Sequence, residues 1–201
     1  TGLDPLVDQL VGLSFAVQTD RAWYVPLRHR VGGAAMGEQL ELGADPRPQL
    51  DPSQLPAEAV LTALKPLFED PHIHKAAQNG KFDIGMLREA GITVRGLTFD
   101  TMLGSYLIDA HQRSHNLDAL ADRWLGHNTL HFADLTDAAG NTGTKKAPLS
   151  FDAVPIPLAT AYACEDAQVV VALAEQMQPA LAAQGLGPLL ADLELPLATV
   201  L

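Results

Sequence analysis

Gln78-Asn79-Gly80-Lys81-Phe82-Asp83 is read from its two flanks. Before it, His74 to Ala77 is short and mostly apolar, and reads as a buried strand. After it, Ile84, Met86, Leu87 and Ala90 recur at helical spacing up to Gly91, a good C-terminal stop. Asp83 therefore falls in the first turn of a helix, just beyond a strand end, which is where an open α/β sheet usually places chemistry. A carboxylate there is favoured by the helix dipole and poised to hold a cation; a helix-capping acid is the alternative reading of this stretch alone.

Working outward, Leu10–Val17 (LVGLSFAV) and Ala22–Leu27 (AWYVPL) read as strands, antiparallel across Gln18-Thr19-Asp20-Arg21. Thr1-Gly2-Leu3-Asp4-Pro5 reads as a turn, and Gly/Pro-rich Arg28–Pro52 as a long surface loop. A helix is predicted from Pro56 to Phe68, with Pro66 kinking or shortening its end. Gly96–Phe99 suggests a further strand. Asp100 is placed to cap a helix from Thr101 to about Ala110, with Met102, Leu103, Tyr106 and Leu107 on one side. In Asn116–Leu125 the residues Leu117, Leu120, Ala121 and Trp124 form a core stripe, ended by Gly126. Thr136–Pro148 reads as a loop. Pro157 opens a long helix to about Gln178, which Pro179 should bend or interrupt. Gly185, Gly187 and Pro188 suggest a hinge, and Leu189–Leu201 another apolar helix. The expected class is α/β: a mixed sheet flanked by helices, with a mainly helical second half.

The 201 residues are 47% hydrophobic but only 5% aromatic, so the core is built mostly of Leu, Val, Ile and Ala. The net charge of −11 excludes a nucleic-acid binder that relies on a basic surface; a nucleic-acid substrate would need divalent metal or an attached basic domain to offset repulsion. The single cysteine, Cys164, permits no internal disulfide and suits a reducing compartment. No signal peptide is evident, and the apolar run Val169–Ala174 is far too short to span a membrane. The chain starts at Thr1 without Met and stops inside an apolar segment, so a piece of a longer protein is expected.

A second signal is Tyr162-Ala163-Cys164-Glu165-Asp166 in the long helix. Tyr162 and Asp166, four apart, share one face. Glu165 points about 100° away. A phenol and a carboxylate so placed can orient a water and hold a metal together; a half-buried tyrosine beside an unrelated surface acid is the plainer reading of that pair by itself.

Taken jointly, N-x-x-x-[YF]-D at 79–83 and Y-x-x-x-D at 162–166 resemble the second and third motifs of the DEDD-type 3′–5′ exonucleases, which have a ribonuclease H-like fold. The run QNGKFDIGMLREAGITVRGLTFDTMLGSY at 78–106 is similar to the proofreading domain of bacterial DNA polymerase I. HNLDALADRWLGH at 115–127 and YACEDAQVVVAL at 162–173 extend the likeness. DLELPLATVL at 192–201 resembles the segment that leads that family into its polymerase domain.

The resemblance implies an exonuclease domain over 1–184 and the start of a connecting helix over 185–201. The family's first motif, D-x-E, is followed by residues like Thr1-Gly2-Leu3, so its carboxylates, on a first strand, would lie before Thr1. The implied chemistry is in-line displacement at phosphate by two divalent metals about 3.5–4 Å apart, Mg²⁺ or Mn²⁺, with Zn²⁺ admissible at one site. Asp83 and Asp166 become metal ligands, and Tyr162 the residue that orients the attacking water. This places the chain in the tyrosine subclass, because Ala161 stands where the histidine subclass has His. Asn79 would bond the terminal nucleotide's backbone, Leu3 wedge beside its base, and Phe132 stack near the single strand. Phe82 replaces a frequent Tyr, and Ser114 stands where a relative has a basic residue.

Lys81 is placed to meet a phosphate at a helix start. His115 opens a helix and is a candidate substrate contact as well as a cap. Lys145-Lys146 is either a basic patch for single-stranded DNA or a solvated loop. The remaining histidines lack zinc spacing. The implied partners are the single-stranded 3′ end of DNA and a covalently linked polymerase domain, in a monomeric, cytoplasmic, nucleoid-associated bacterial protein with no membrane association. A catalytically silent structural domain of a polymerase and a stand-alone RNA 3′-processing nuclease of the same fold are the competing readings.

Overall fold

The computed structural model describes residues 9–31, 49–138 and 150–200. The turn at Thr1–Pro5, Leu3, most of the loop after Arg28 and Lys145-Lys146 lie outside the described residues.

Strand β1 (Gly12–Gln18) pairs antiparallel with β2 (Arg21–Pro26). Gln18 pairs with Arg21, so the connection is the two-residue turn Thr19-Asp20, tighter than the four-residue one expected. The loop that follows is clipped at its base by an Arg30–Leu50 bridge. Helix α1 (Ala57–Glu69) leads to β3 (Lys75–Ala77), α2 (Gly80–Glu89), β4 (Leu97–Asp100) and α3 (Thr101–Ile108). β3 and β4 pair in parallel, as strands joined by a crossover helix must. Both strand senses are thus present, but among the described residues they form two separate two-stranded sheets.

The second half is helical: α4 (Leu117–Leu125), α5 (Phe132–Ala138), a 3₁₀ turn at Phe151–Ala153, then α6 (Ile156–Ala183). A short α7 (Gly187–Leu189), a π segment (Leu190–Glu194) and α8 (Leu195–Val200) close the chain, so the expected single apolar helix is broken by a π bulge and begins where a hinge was expected. Helix α5 was not foreseen.

Neither internal proline ends its helix. α1 continues through Pro66 to Glu69 and α6 through Pro179 to Ala183. Both prolines, and the residues four earlier whose carbonyls they free, Thr62 and Glu175, are exposed, so each proline sits on a solvent-facing side of its helix. Packing of Phe68 in one helix and Met177 and Leu181 in the other holds the backbone on either side.

Helix α6 is the spine. By length and composition alone it is apolar enough to cross a bilayer. Here it packs against both strands of the hairpin and against α3, α4 and α5, and it carries Glu165, Asp166 and Glu175, which a bilayer interior disfavours. Its apolar face buries Val169, Leu173, Met177 and Leu181 against Phe99, Leu120 and Ala121. A second cluster, Phe68, Leu87 and Ile92, sits under Leu13 and Phe15 of β1.

On α3 Leu103 and Leu107 of the expected stripe pack against the main core and Thr101, Gly104 and Ser105 are buried, while Tyr106 alone of the stripe is exposed. A Cβ at Gly104 would lie 3.1 Å from Phe99 and 3.4 Å from Leu181, so the small residue is what lets α3 close on α6.

Asp100 is the buried polar junction of the sheet end. Its Oδ1 accepts from Met102 N at 2.9 Å and Leu103 N at 3.1 Å, capping α3 as expected. Its Oδ2 accepts from Gly80 N at 2.6 Å, which caps α2 as well. Asp100→Ala removes a cap and strands a buried N–H, and should cost about 2–4 kcal/mol. Asp100→Asn, with one oxygen left, should recover part of that loss in urea denaturation.

Candidate active site

Asn79 is the N-cap of α2 and has φ 56°, the left-handed conformation, unique among described residues other than glycine. Its side chain makes no capping bond and is exposed, because Asp100 takes the helix end instead. Asn tolerates this conformation better than most non-glycine residues, and here its side-chain amide is left free of the helix end. Lys81 is exposed and Phe82 half-buried beside it.

Asp83 lies in the first turn of α2, as expected. Water reaches it, yet surrounding protein and, secondarily, the Asp100 charge push its carboxyl up to about 7. Asp166 is half-buried on α6, and burial, with the charges of Asp118 and Glu165, pushes its carboxyl up to about 7 as well. The Tyr162 hydroxyl, one turn away on the same face of α6, opposes that rise. Burial and the neighbouring carboxylates raise the Tyr162 phenol, so it stays protonated.

The structure joins Tyr162 and Asp166, while the charges acting on Asp83 and on Asp166 come from different neighbours. Among the described residues no group of three or more acidic, histidine or cysteine side chains is arranged to hold an ion.

Phe132 is half-buried at the start of α5, against Phe151 at 6.2 Å between ring centroids. His115 is 6% exposed: its Nδ1 lies 2.7 Å from the Ser105 hydroxyl, its ring stacks on Tyr106, and its Nε2 is buried without a partner. Its carbonyl accepts from Gln78 Nε2 at 2.9 Å, which ties this loop to the Asn79 turn.

Sequence reasoning missed Asp118 and the second task of Glu165. Glu165 turns away from Asp166, as its helical offset requires, and holds His127 Nε2 at 2.9 Å and Leu130 N at 2.7 Å. Asp118, in the first turn of α4, accepts from the Thr129 hydroxyl at 2.7 Å. Together these acids pin the Gly126–His131 loop beside Tyr162. Acids recurring near Tyr162 were visible in sequence, but not that they converge.

A family model described as 3′–5′ exonuclease matches residues 1–182. The chain belongs to the 3′–5′ exonuclease family. The exonuclease domain is 41% identical over its whole length to DNA polymerase I of Pseudomonas aeruginosa, and 39% identical to that of Rhizobium leguminosarum. It spans about a fifth of each, 20% and 19%. Among solved structures it resembles the POL domain of Pol1 from M. smegmatis in complex with DNA primer-template and dNTP. That match has TM-score 0.54 and 27% identity, covering 73% of this chain and 20% of that one. Brucella melitensis NrnC shares the fold, with TM-score 0.56 and 16% identity over 92% of this chain and 71% of that one.

The raised carboxyls fix the sign of the pH response. A carboxyl lifted from the ordinary 3.8 to about 7 keeps a proton when folded that the unfolded chain gives up. Its stabilisation is complete below about pH 4 and is lost as pH rises through 7. Asp51, Glu69 and Asp109, held low by hydrogen bonds, act oppositely and only in the acid range. Calorimetry from pH 5 to 8 should therefore show declining stability, flattened by Asp166→Asn. Asp166 carries more of this than Asp83, which water screens.

Proposed function

We propose that this is the proofreading 3′–5′ exonuclease domain of a bacterial DNA polymerase I. It would hydrolyse the 3′-terminal phosphodiester of single-stranded DNA and release a deoxynucleoside 5′-monophosphate. The observation that carries this reading is the Tyr162–Asp166 pair on one face of α6, in a chain that matches the family model over 1–182.

Asp83 and Asp166 are the residues that would hold divalent metal. Both are oxygen donors whose proton affinity is raised by the surrounding protein, Asp166 half-buried and Asp83 open to water, and the groups acting on them are acidic or neutral. Such carboxyls suit a hard cation, Mg²⁺ or Mn²⁺, which would replace the proton. The bound cations supply Lewis-acid polarisation of the phosphate and a more acidic water. The family's other two carboxylates belong to a D-x-E motif expected ahead of Thr1.

Tyr162 lies one turn from Asp166 on the same face of α6, and its phenol oxygen keeps lone pairs that can accept from a water and aim it. It remains a phenol through neutral pH, so it orients rather than deprotonates. The Asn79 amide, uncommitted and exposed, would bond the terminal nucleotide's backbone, with Lys81 toward its phosphate. Phe82, Phe132 and Leu3 would contact bases, and His115 would bear on substrate through the Gln78–Asn79 turn.

Length supports a linked polymerase domain, since the relatives are about five times longer. Exposed Leu189, Leu193, Leu197 and Val200 offer it an apolar stripe beyond Gly185, where the exonuclease domain would end. A bacterial cytoplasmic location at the nucleoid follows from that assignment.

In the full-length polymerase, Asp166→Ala should lower Mg²⁺-dependent digestion of single-stranded DNA at least a hundredfold, with template-directed incorporation unchanged. Tyr162→Phe should lower it about 10- to 100-fold, as loss of an orienting group does. Retained digestion in Asp166→Ala would overturn the site. Equal or faster digestion of an RNA 3′ end would favour RNA processing.

A further inference from the structure

His29 is 1% exposed, and every polar atom it has is committed. Its backbone N–H donates to Gln54 Oε1 at 2.9 Å, and its carbonyl accepts from Gln54 Nε2 at 2.8 Å and Asp51 N at 2.8 Å. Its Nδ1 lies 2.9 Å from the Val154 carbonyl and its Nε2 2.6 Å from the Tyr24 hydroxyl. A carbonyl only accepts, so Nδ1 carries the proton and Nε2 accepts from Tyr24. Burial holds the imidazole below its ordinary value and the Tyr24 phenol above its own, which keeps this neutral arrangement at working pH.

The next residue repeats the grip. Arg30 contacts Asp152 through its guanidinium at 2.8 and 2.6 Å, and its backbone N–H donates to the Asp152 carbonyl at 2.7 Å. Residues 29 and 30 thus hold residues 152 and 154, immediately before α6, whose N-cap, Pro155, has no side-chain cap of its own.

Immediately before Asp152 sits Phe151. Its ring centroid lies 5.7 Å from His29, 6.4 Å from Tyr24, 6.2 Å from Phe132 and 6.1 Å from Tyr162. The path from His29 to the Tyr162 ring therefore has one intermediate residue, and it is a rigid ring at near-contact distance on both sides.

We infer that His29 is a positioning residue for Tyr162: by holding the Val154 carbonyl and backing the Phe151 ring, it sets where α6 begins and where the Tyr162 phenol rests against Asp166. A histidine that only filled the core would affect stability and leave the Tyr162 environment unchanged. The consequence for catalysis rests on the exonuclease role proposed for Tyr162; the positional coupling does not.

In the full-length polymerase, fluorotyrosine labelling reports on Tyr24, Tyr106 and Tyr162 through ¹⁹F resonances assigned by single Tyr→Phe changes. In His29→Asn the amide nitrogen can replace Nδ1 toward Val154, but the ring that backs Phe151 is gone. The variant should move the Tyr24 and Tyr162 resonances and leave Tyr106, which stacks on His115 instead. An unmoved Tyr162 resonance overturns the inference. Should His29→Asn fail to fold, His29→Gln, which can keep an amide toward the Tyr24 hydroxyl and likewise lacks the ring, carries the same test, again with Tyr162 moving and Tyr106 not.

In the full-length polymerase, His29→Asn should reduce the exonuclease kcat about tenfold or more with KM and incorporation unchanged. A changed KM with wild-type kcat would overturn positioning in favour of a role in DNA binding. A moved Tyr162 resonance with wild-type kcat and KM would keep the coupling and overturn the proposed role of Tyr162.

Discussion

One carboxylate accepts backbone N–H groups from the starts of two helices, and the rest of the sheet end depends on it. Parallel pairing sets Ala77 opposite Asp100, so α2 and α3 begin side by side. Each beginning exposes N–H groups that the helix cannot satisfy itself. Asp100 serves both, at 1% exposure, and so frees Asn79 from the capping role that its type and position favour. The same buried charge acts on Asp83, one turn into α2. The group that locks the scaffold thus adds to the rise that burial gives that carboxyl.

The helix that crosses the molecule divides its labour along its length. The C-terminal half of α6 is an apolar stripe in the main core, and Gly104 on α3 is small enough to let that contact close. Its N-terminal half carries Tyr162, Glu165 and Asp166, each with a different neighbour: an aromatic ring, a loop and acidic charge. Burial drives the first half. In the second, the same burial raises carboxyl proton affinity, a cost to the cation-free fold and an advantage to a site that takes hard cations.

Local chemistry was legible where it is written in adjacent residues. Asp100 and Asn116 as helix caps, Gly126 as the end of α4 and the Leu120–Ala121 core stripe are all short-range consequences of residue type. Pro179 misled because a proline's cost depends on the surroundings of the carbonyl it frees, and here both Pro179 and Glu175 are exposed. Tyr106 misled because helical periodicity identifies an apolar face but not which face a neighbour can approach, and Gly104 turned the small face inward.

The sequence by itself determined most of the element order, though not α5 or the π segment, the placement of Asp83 in a helix's first turn, and the shared face of Tyr162 and Asp166, since each follows from spacing within one element. Only the tertiary structure decided that Asp100 serves two helices, that Asp118 and Glu165 border Tyr162, and that His29 reaches the entry of α6. The last is a contact across 125 positions. Such contacts depend on how separately formed elements stack, and no local pattern encodes which buried donor will find which distant carbonyl.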